Sequence, residues 1–445
     1  MSCRIQDNGQ FERRQAKHGL RKGLRPALFA VALWALVGSA SGLQRSTLQY
    51  TWGSFAFAFD SDQQRQEISA RADYAPQNST PFDVDVDRAT GRCFLSFPSV
   101  LPGALVSLAT VKDKHQRDSP QLAPYPDWSW HDGQRSCDGM TSVFRIYIDK
   151  CRRLWVIDCG VVDVGNTFQH KCPPQLLVFD LRTDELIARH RFNVPAKDNE
   201  TTFMLNVIAE QKGGFCSDDA FAYIADTGAF AMYVFSLRSQ RSWRIESETF
   251  LPESNAERIE VNGSTLMLQD GVLGLALNDR DDYLYYHSFS SFQEGRVLKA
   301  VLQEEALFAD GNNSAAEEFS YIGRRQSQSA GEALAMNSVM FFHQMATESM
   351  FCWDTSTEYT SDNHHVVEHD STLLKFVTSV KSISQGYPEE IWAIDNNGQR
   401  IFAGEFEPNQ PRTVNIVRGS VSDWSSKCKG EWYSWIFEFC NSFWW

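Results

Sequence analysis

Short runs of aromatic and aliphatic residues ending in a polar turn recur six times along the chain, at residues 92–98, 153–158, 221–226, 283–287, 338–343 and 390–395. Their richness in Val, Ile, Phe, Tyr and Trp predicts strands. A second run precedes each of them, at 82–87, 143–149, 203–208, 272–277, 332–336 and 373–377. A third follows, at 104–108, 176–180, 232–236, 297–301, 350–354 and 399–403. Turn-forming stretches such as Asp87-Arg-Ala-Thr-Gly91 and Asn278-Asp-Arg-Asp-Asp282 separate the first run from the second. The units repeat every 50 to 70 residues or so, which fits one four-stranded blade with its loops. Radial closure leaves only short, protected edges, so the chain is expected to be all-β, a six-bladed β-propeller spanning residues 43–420. A pair of β-sandwiches is the alternative. Residues 49–59 are expected to supply the strand that closes the ring.

Composition supports a globular body: 42% of residues are hydrophobic and 22% charged. The first forty residues differ, with seven basic and two acidic side chains. They lead into the apolar run 27–37 and the small residues 38–42. That layout predicts a signal peptide over residues 1–42, cleaved near Ala40 or Gly42, with an uncleaved anchor as the alternative. The run is short for a bilayer span, so no stable membrane insertion is expected. What remains carries 35 Lys+Arg against 54 Asp+Glu. So acidic a body repels phosphate backbones, and nucleic acid is not an expected partner.

Sequons at Asn78, Asn199, Asn262 and Asn312 fit a secreted, extracellular glycoprotein. Nine cysteines remain once Cys3 is removed with the leader, and without a C-x-x-C pair they predict disulfides, with at least one thiol left over. The end of the chain, residues 421–445, is rich in aromatics. It is either a tail lying across the propeller, an exposed patch or a misread gene end, and the last is preferred.

His365-Val-Val-Glu-His369 fits an inverted zinc-protease pattern. That chemistry needs a helix to place both imidazoles on one face, whereas the valines and polar neighbours predict a solvated loop. Asp83, Asp85 and Asp87 alternate, so their side chains share one face of a strand. They either ring a channel and bind a cation, or form a solvated blade edge, which is the expected reading. No metal site and no cofactor is predicted. The absence of a nucleophile elbow, a Walker loop and a dinucleotide fingerprint argues against hydrolase and nucleotide chemistry.

Phe144-Arg-Ile-Tyr-Ile-Asp-Lys-Cys-Arg-Arg-Leu-Trp-Val-Ile-Asp158, followed by Lys171-Cys-Pro-Pro-Gln-Leu-Leu-Val-Phe-Asp-Leu181, resembles the most distinctive stretch of the yellow/major royal jelly protein family. Ala222-Tyr-Ile-Ala-Asp226, Asp270-Gly-Val-Leu-Gly-Leu-Ala-Leu277, Ser327-Gln-Ser-Ala330 and Cys352-Trp353 follow in the family's order, so the resemblance covers roughly residues 48 to 405. It implies a secreted six-bladed propeller associated with cuticle pigmentation, eggshell, royal jelly or saliva. Some members convert dopachrome, and salivary relatives bind serotonin-like amines in the central channel. Fold does not fix chemistry, so three readings stand: a module binding a small aromatic or biogenic amine of catechol type, a dopachrome-converting tautomerase, and a structural component of cuticle or eggshell with an extracellular matrix as partner. Binding ranks first. Enzymatic activity is not expected, because Asp270, His343 and Glu348, the candidate acids and bases, form no recognisable constellation.

The resemblance places ligand contacts at Ser327, Ser329, Asn337 and Phe341, and Asp270 opens the inner strand of blade four. Phe341 as core and the hydroxyls as backbone partners is the competing reading. The sequence departs from the family pattern at Cys159, at Glu348-Ser-Met350 and at Asn337, and the last two departures put amine specificity in question. Cys137, Cys151, Cys172 and Cys216 match cysteines shared by relatives. Of their three possible connectivities, Cys151 with Cys172 and Cys137 with Cys216 is preferred.

Overall fold

Six four-stranded antiparallel sheets follow one another along the chain. The computed structural model describes residues 46–131, 136–278, 280–311, 313–407 and 413–429. The expected leader, the sequon at Asn312 and Cys440 therefore lie outside the described residues. Blade 1 runs outward from Asp83–Asp87 through Arg92–Ser96 and Leu108–Val111 to Leu122–Pro124. The inner strands of blades 2 to 6 are Val143–Ile148, Met204–Gln211, Val272–Ala276, Glu332–Leu334 and Val377–Ile383, and each neighbours the next until blade 6 meets blade 1. Thr47–Trp52 pairs with Val414–Ser420 as the outermost strand of blade 6, so an early and a late strand close the ring in one sheet. This bears out the six-bladed propeller; the closing strand is Thr47–Trp52, so of the expected residues 49–59 only the first four belong to it.

All six middle strands lie where the hydrophobic runs place them. Four flanking assignments need correction. Blade 1's third strand starts at Leu108 instead of 104, because Pro98 has no amide to extend the ladder beyond the middle strand. In blade 6, Thr372 and Leu373 donate their amides to Asp370 Oδ1 at 2.7 and 3.0 Å, which turns the chain and delays the inner strand to Val377. Residues 399–402 form a helical turn after Gly398, whose amide is held by Asn396 Oδ1 at 2.8 Å; the third strand is Val414–Ser420. In blade 4 the third strand, Gln293–Leu298, gives way to a short helix at Lys299–Leu302.

Asp83, Asp85 and Asp87 are buried, not a solvated edge. Asp83 Oδ2 accepts from the Ile146 amide at 2.8 Å and Asp85 Oδ2 from the Ile148 amide at 2.7 Å, both on the inner strand of blade 2. Arg152, beyond that strand, grips Asp87 with two hydrogen bonds at 3.0 and 2.8 Å. On the other side, Lys381 and the Ser379 hydroxyl of blade 6 reach Asp83, the ammonium at 3.0 Å. Alternation on one strand thus joins blade 1 to both of its neighbours.

The disulfides are Cys137–Cys172, Cys151–Cys216 and Cys352–Cys428, which overturns the preferred pairing. Cys151 sits in the turn between the inner and middle strands of blade 2, whereas Cys172 is tied beyond the other end of the middle strand by its amide bond to the Gly160 carbonyl at 3.0 Å. Six residues of strand, about 20 Å, separate those ends. Each cysteine pairs with the one at its own end. Cys93 and Cys159 are free and buried, and burial pushes the Cys159 thiol up to about 12.

The third disulfide anchors a C-terminal helix, Val421–Lys429, to blade 5. Trp424 is buried on Gly419, where a Cβ would meet the indole at 2.2 Å. Residues 421–429 are therefore part of the propeller's packing. Residues 430–445 lie outside the described residues.

His365–His369 is the outer strand of blade 5, not a loop. Four residue steps along the strand separate the two histidines by about 13 Å, too far to share an ion.

Candidate functional site

The inner strands of blades 1, 2 and 3 each open with or near a phenylalanine, Phe82, Phe144 and Phe203, and blade 6 adds Phe376. Around the propeller axis these rings meet. Centroids are 5.4 Å apart for Phe82 and Phe144, 5.2 Å for Phe144 and Phe203, and 4.9 Å for Phe203 and Phe168, all edge to face. Phe402 continues the row at 6.0 Å from Phe82. Together with Phe289 and Leu273 they line an upper chamber of about 250 Å³ at the N-terminal ends of the inner strands.

Asp270 is the one carboxylate in that lining. Its backbone is fixed by two bonds to Ser290, the amide donating to Ser290 Oγ and the carbonyl accepting from the Ser290 amide, both at 3.0 Å. Among the described residues no donor reaches its carboxylate. Burial among the rings pushes its pKa up to about 6. An anion without a protein partner, walled by aromatic faces, suits a cation that also carries a ring.

Arg145 lines both this chamber and a lower one, and so marks their boundary. From blade 2 it reaches across the axis, its Nη2 donating to the Ala330 carbonyl of the loop before blade 5 at 2.7 Å and to the Thr378 carbonyl of blade 6. The lower chamber has about 70 Å³ and polar walls that include Asp85, Asn206, Glu332 and Lys381. It has room for a few waters and no aromatic ligand. Lys381 is engaged by Asp83 and by the Ile146 carbonyl at 2.6 Å. Burial pushes Asp85 up to about 7 against the pull of Lys381.

Of the site residues expected from sequence, Asp270 lines the upper chamber and the other four line neither. Ser327 Oγ accepts the Ala346 amide at 3.0 Å, and Ser329 Oγ donates to the Gly331 carbonyl at 3.1 Å. Asn337 bonds Ser425 of the C-terminal helix at 2.8 Å. Phe341 is fully buried between blades 5 and 6, 6.0 Å from the Trp424 ring. His343 is also buried, its Nε2 2.8 Å from the Leu374 carbonyl, and burial lowers it to about 4. Glu348 stands in a left-handed turn outside both chambers. The aromatic wall was missed, although its signal is in the chain: a phenylalanine recurs at the start of four inner-strand repeats.

A family model described as Major royal jelly protein matches residues 141–428. The chain is 32% identical to a Drosophila melanogaster protein named Dopaminechrome tautomerase, over 78% of this chain and 76% of that one. It is 30% identical to Major royal jelly protein 9 of Apis mellifera, covering 82% and 85%. With Protein yellow of Drosophila subobscura it shares 31% identity over 82% of this chain and 64% of that protein.

Proposed function

Because the chain belongs to the yellow/major royal jelly protein family, we propose that it is a secreted propeller whose upper chamber binds a small aromatic amine of catechol type. The observation that carries this reading is Asp270, an unpartnered carboxylate in a cage of phenylalanines. The amine pairs with the carboxylate, and the ring packs against Phe82, Phe144 and Phe203. Three disulfides support an oxidising compartment. A role in pigmentation or cuticle rests on likeness to Protein yellow alone.

A second reading is favoured by the same residue. A carboxyl group near pKa 6 is suited to accept and return a proton at neutral pH, as isomerising an oxidised catechol requires, and one relative is named for that activity. Calorimetry of the secreted protein against dopamine and serotonin, beside a dopachrome-conversion assay, separates the readings. Saturable binding without turnover supports the binding module. Turnover abolished by Asp270→Asn assigns the enzyme. Silence in both assays, with protein recovered from an insoluble matrix, assigns a structural role.

Passage through the secretory route has its own check. Mass spectrometry of secreted material is expected to find a new N-terminus near Ala40 or Gly42 and sugar on the exposed Asn199 and Asn262. The half-buried Asn78, whose amide donates to the Pro102 carbonyl at 2.7 Å, should be less occupied. An intact Met1 with unmodified Asn199 and Asn262 sinks this part of the proposal.

A further inference from the structure

His287, on the middle strand of blade 4, packs its ring against Gly274, where a Cβ would meet the imidazole at 2.1 Å. Its Nε2 lies 3.0 Å from the Ser329 carbonyl oxygen. A carbonyl only accepts, so Nε2 carries the proton and a neutral ring turns the lone pair of Nδ1 the other way. There it faces Glu332 Oε2 at 3.1 Å and Glu294 Oε2 at 3.3 Å, and all three side chains are fully buried. Both oxygens of Glu332, and Oε1 of Glu294, have no hydrogen-bond partner. Three lone-pair donors this close repel one another unless something positive lies among them.

From this juxtaposition we propose a metal site: a divalent first-row transition ion of the zinc or manganese class, held by His287 Nδ1, Glu294 and Glu332. Ligand bonds of about 2.1 Å give neighbouring ligand atoms about 3.0 Å apart in an octahedron and about 3.4 Å in a tetrahedron, and the two histidine–glutamate spacings fall between, with all three ligand atoms within 4.8 Å of one another. A single proton on Nδ1 serves one carboxylate oxygen, whereas an ion engages one donor atom from each of the three side chains. One imidazole with two carboxylates selects this class over calcium or magnesium, which take oxygen alone. The surroundings fit a second shell: the Ser329 carbonyl orients the imidazole, and Arg325 and the Tyr359 hydroxyl hold Glu294. Glu332 also lines the lower chamber, which gives the ion a route in from the axis.

The test uses the secreted full chain, purified without a metal-affinity tag, freed of metal by chelator and titrated with Zn2+ and with Mn2+. One ion per chain is expected, bound at least tenfold more tightly than Mg2+ or Ca2+. His287→Gln and Glu332→Gln should each weaken it by more than the roughly 10- to 100-fold that losing an outer-shell partner costs. The double variant His365→Ala/His369→Ala, on the exposed strand of blade 5, should bind as the parent does. Pulsed EPR of the Mn2+-loaded parent should detect one imidazole nitrogen, a readout that stands even if a core variant fails to fold. No stoichiometric binding, no nitrogen coupling, or a loss of binding that follows His365 and His369 overturns the proposal.

Discussion

Replacing Asp270 by Asn should abolish tight amine binding and at the same time make the protein more stable above pH 6. The substitution keeps the shape of the side chain and removes its charge. Breaking a charge pair in a chamber walled by aromatic rings costs about 2–4 kcal/mol of affinity, a loss of roughly 30- to 700-fold. Stability moves the other way. The folded pKa of Asp270 is raised to about 6 from the ordinary carboxylate value, by burial, so the folded chain holds this proton better than the unfolded one. Its contribution to stability is complete below the unfolded value near 4 and is lost as pH rises through 6. At pH 8 the parent therefore carries a penalty of about 3 kcal/mol that Asp270→Asn lacks, and at pH 4 the two should unfold alike. Binding by the parent should weaken roughly tenfold per pH unit below 6, as the carboxylate is protonated. Chemical denaturation at pH 4 and pH 8, with calorimetry between pH 5 and 8, checks both halves. Equal unfolding midpoints at pH 8 with undiminished amine affinity would remove Asp270 from the site.

The propeller was legible because its signal is repeated. Each middle strand is buried on both faces, so Leu154 to Asp158 or Leu284 to Ser288 reads as an unbroken buried run. Flanking strands were less legible where side chains, not hydrophobicity, set the ends: Asp370 capping a turn before blade 6 and Asn396 fixing Gly398 are local polar events. The site was harder still. Asp270 could be named, but that Ser329 bonds backbone and Phe341 points between blades depends on which face of a strand meets the axis, and a shift of one residue reverses it. The disulfides failed for a related reason, since separation along the chain does not tell which end of a blade a cysteine occupies. The His287, Glu294 and Glu332 cluster combines two blades, and no local spacing announces it.

Asp83→Ala should be among the most damaging single substitutions in the chain, although the residue lies in neither chamber's lining. The carboxylate sits where blades 1, 2 and 6 meet. One oxygen takes the Ile146 amide at 2.8 Å and the Lys381 ammonium at 3.0 Å, and the other takes the Val84 amide at 2.9 Å and the Ser379 hydroxyl. Truncation leaves the buried Lys381 with the Ile146 carbonyl as its remaining hydrogen bond and Asp85 as a neighbouring carboxylate, and takes an acceptor from two interior amides and a hydroxyl. Removing one partner of such a buried pair costs about 3–5 kcal/mol, a large share of the 5–15 kcal/mol that usually holds a domain together. The expected result is a sharp fall in secreted yield and an early denaturation midpoint. If the cause is the orphaned ammonium, Asp83→Ala combined with Lys381→Met should recover part of the loss, because the second change removes the uncompensated charge and leaves only unpaired dipoles. Asp83→Asn should fall between them: its one oxygen can stay with the Ile146 amide and Lys381, while its NH2 then faces the Val84 amide and the Ser379 hydroxyl. A denaturation midpoint for Asp83→Ala equal to the parent's would mean that the aspartates on this strand do not join the blades, and that closure through Thr47–Trp52 suffices to hold the ring.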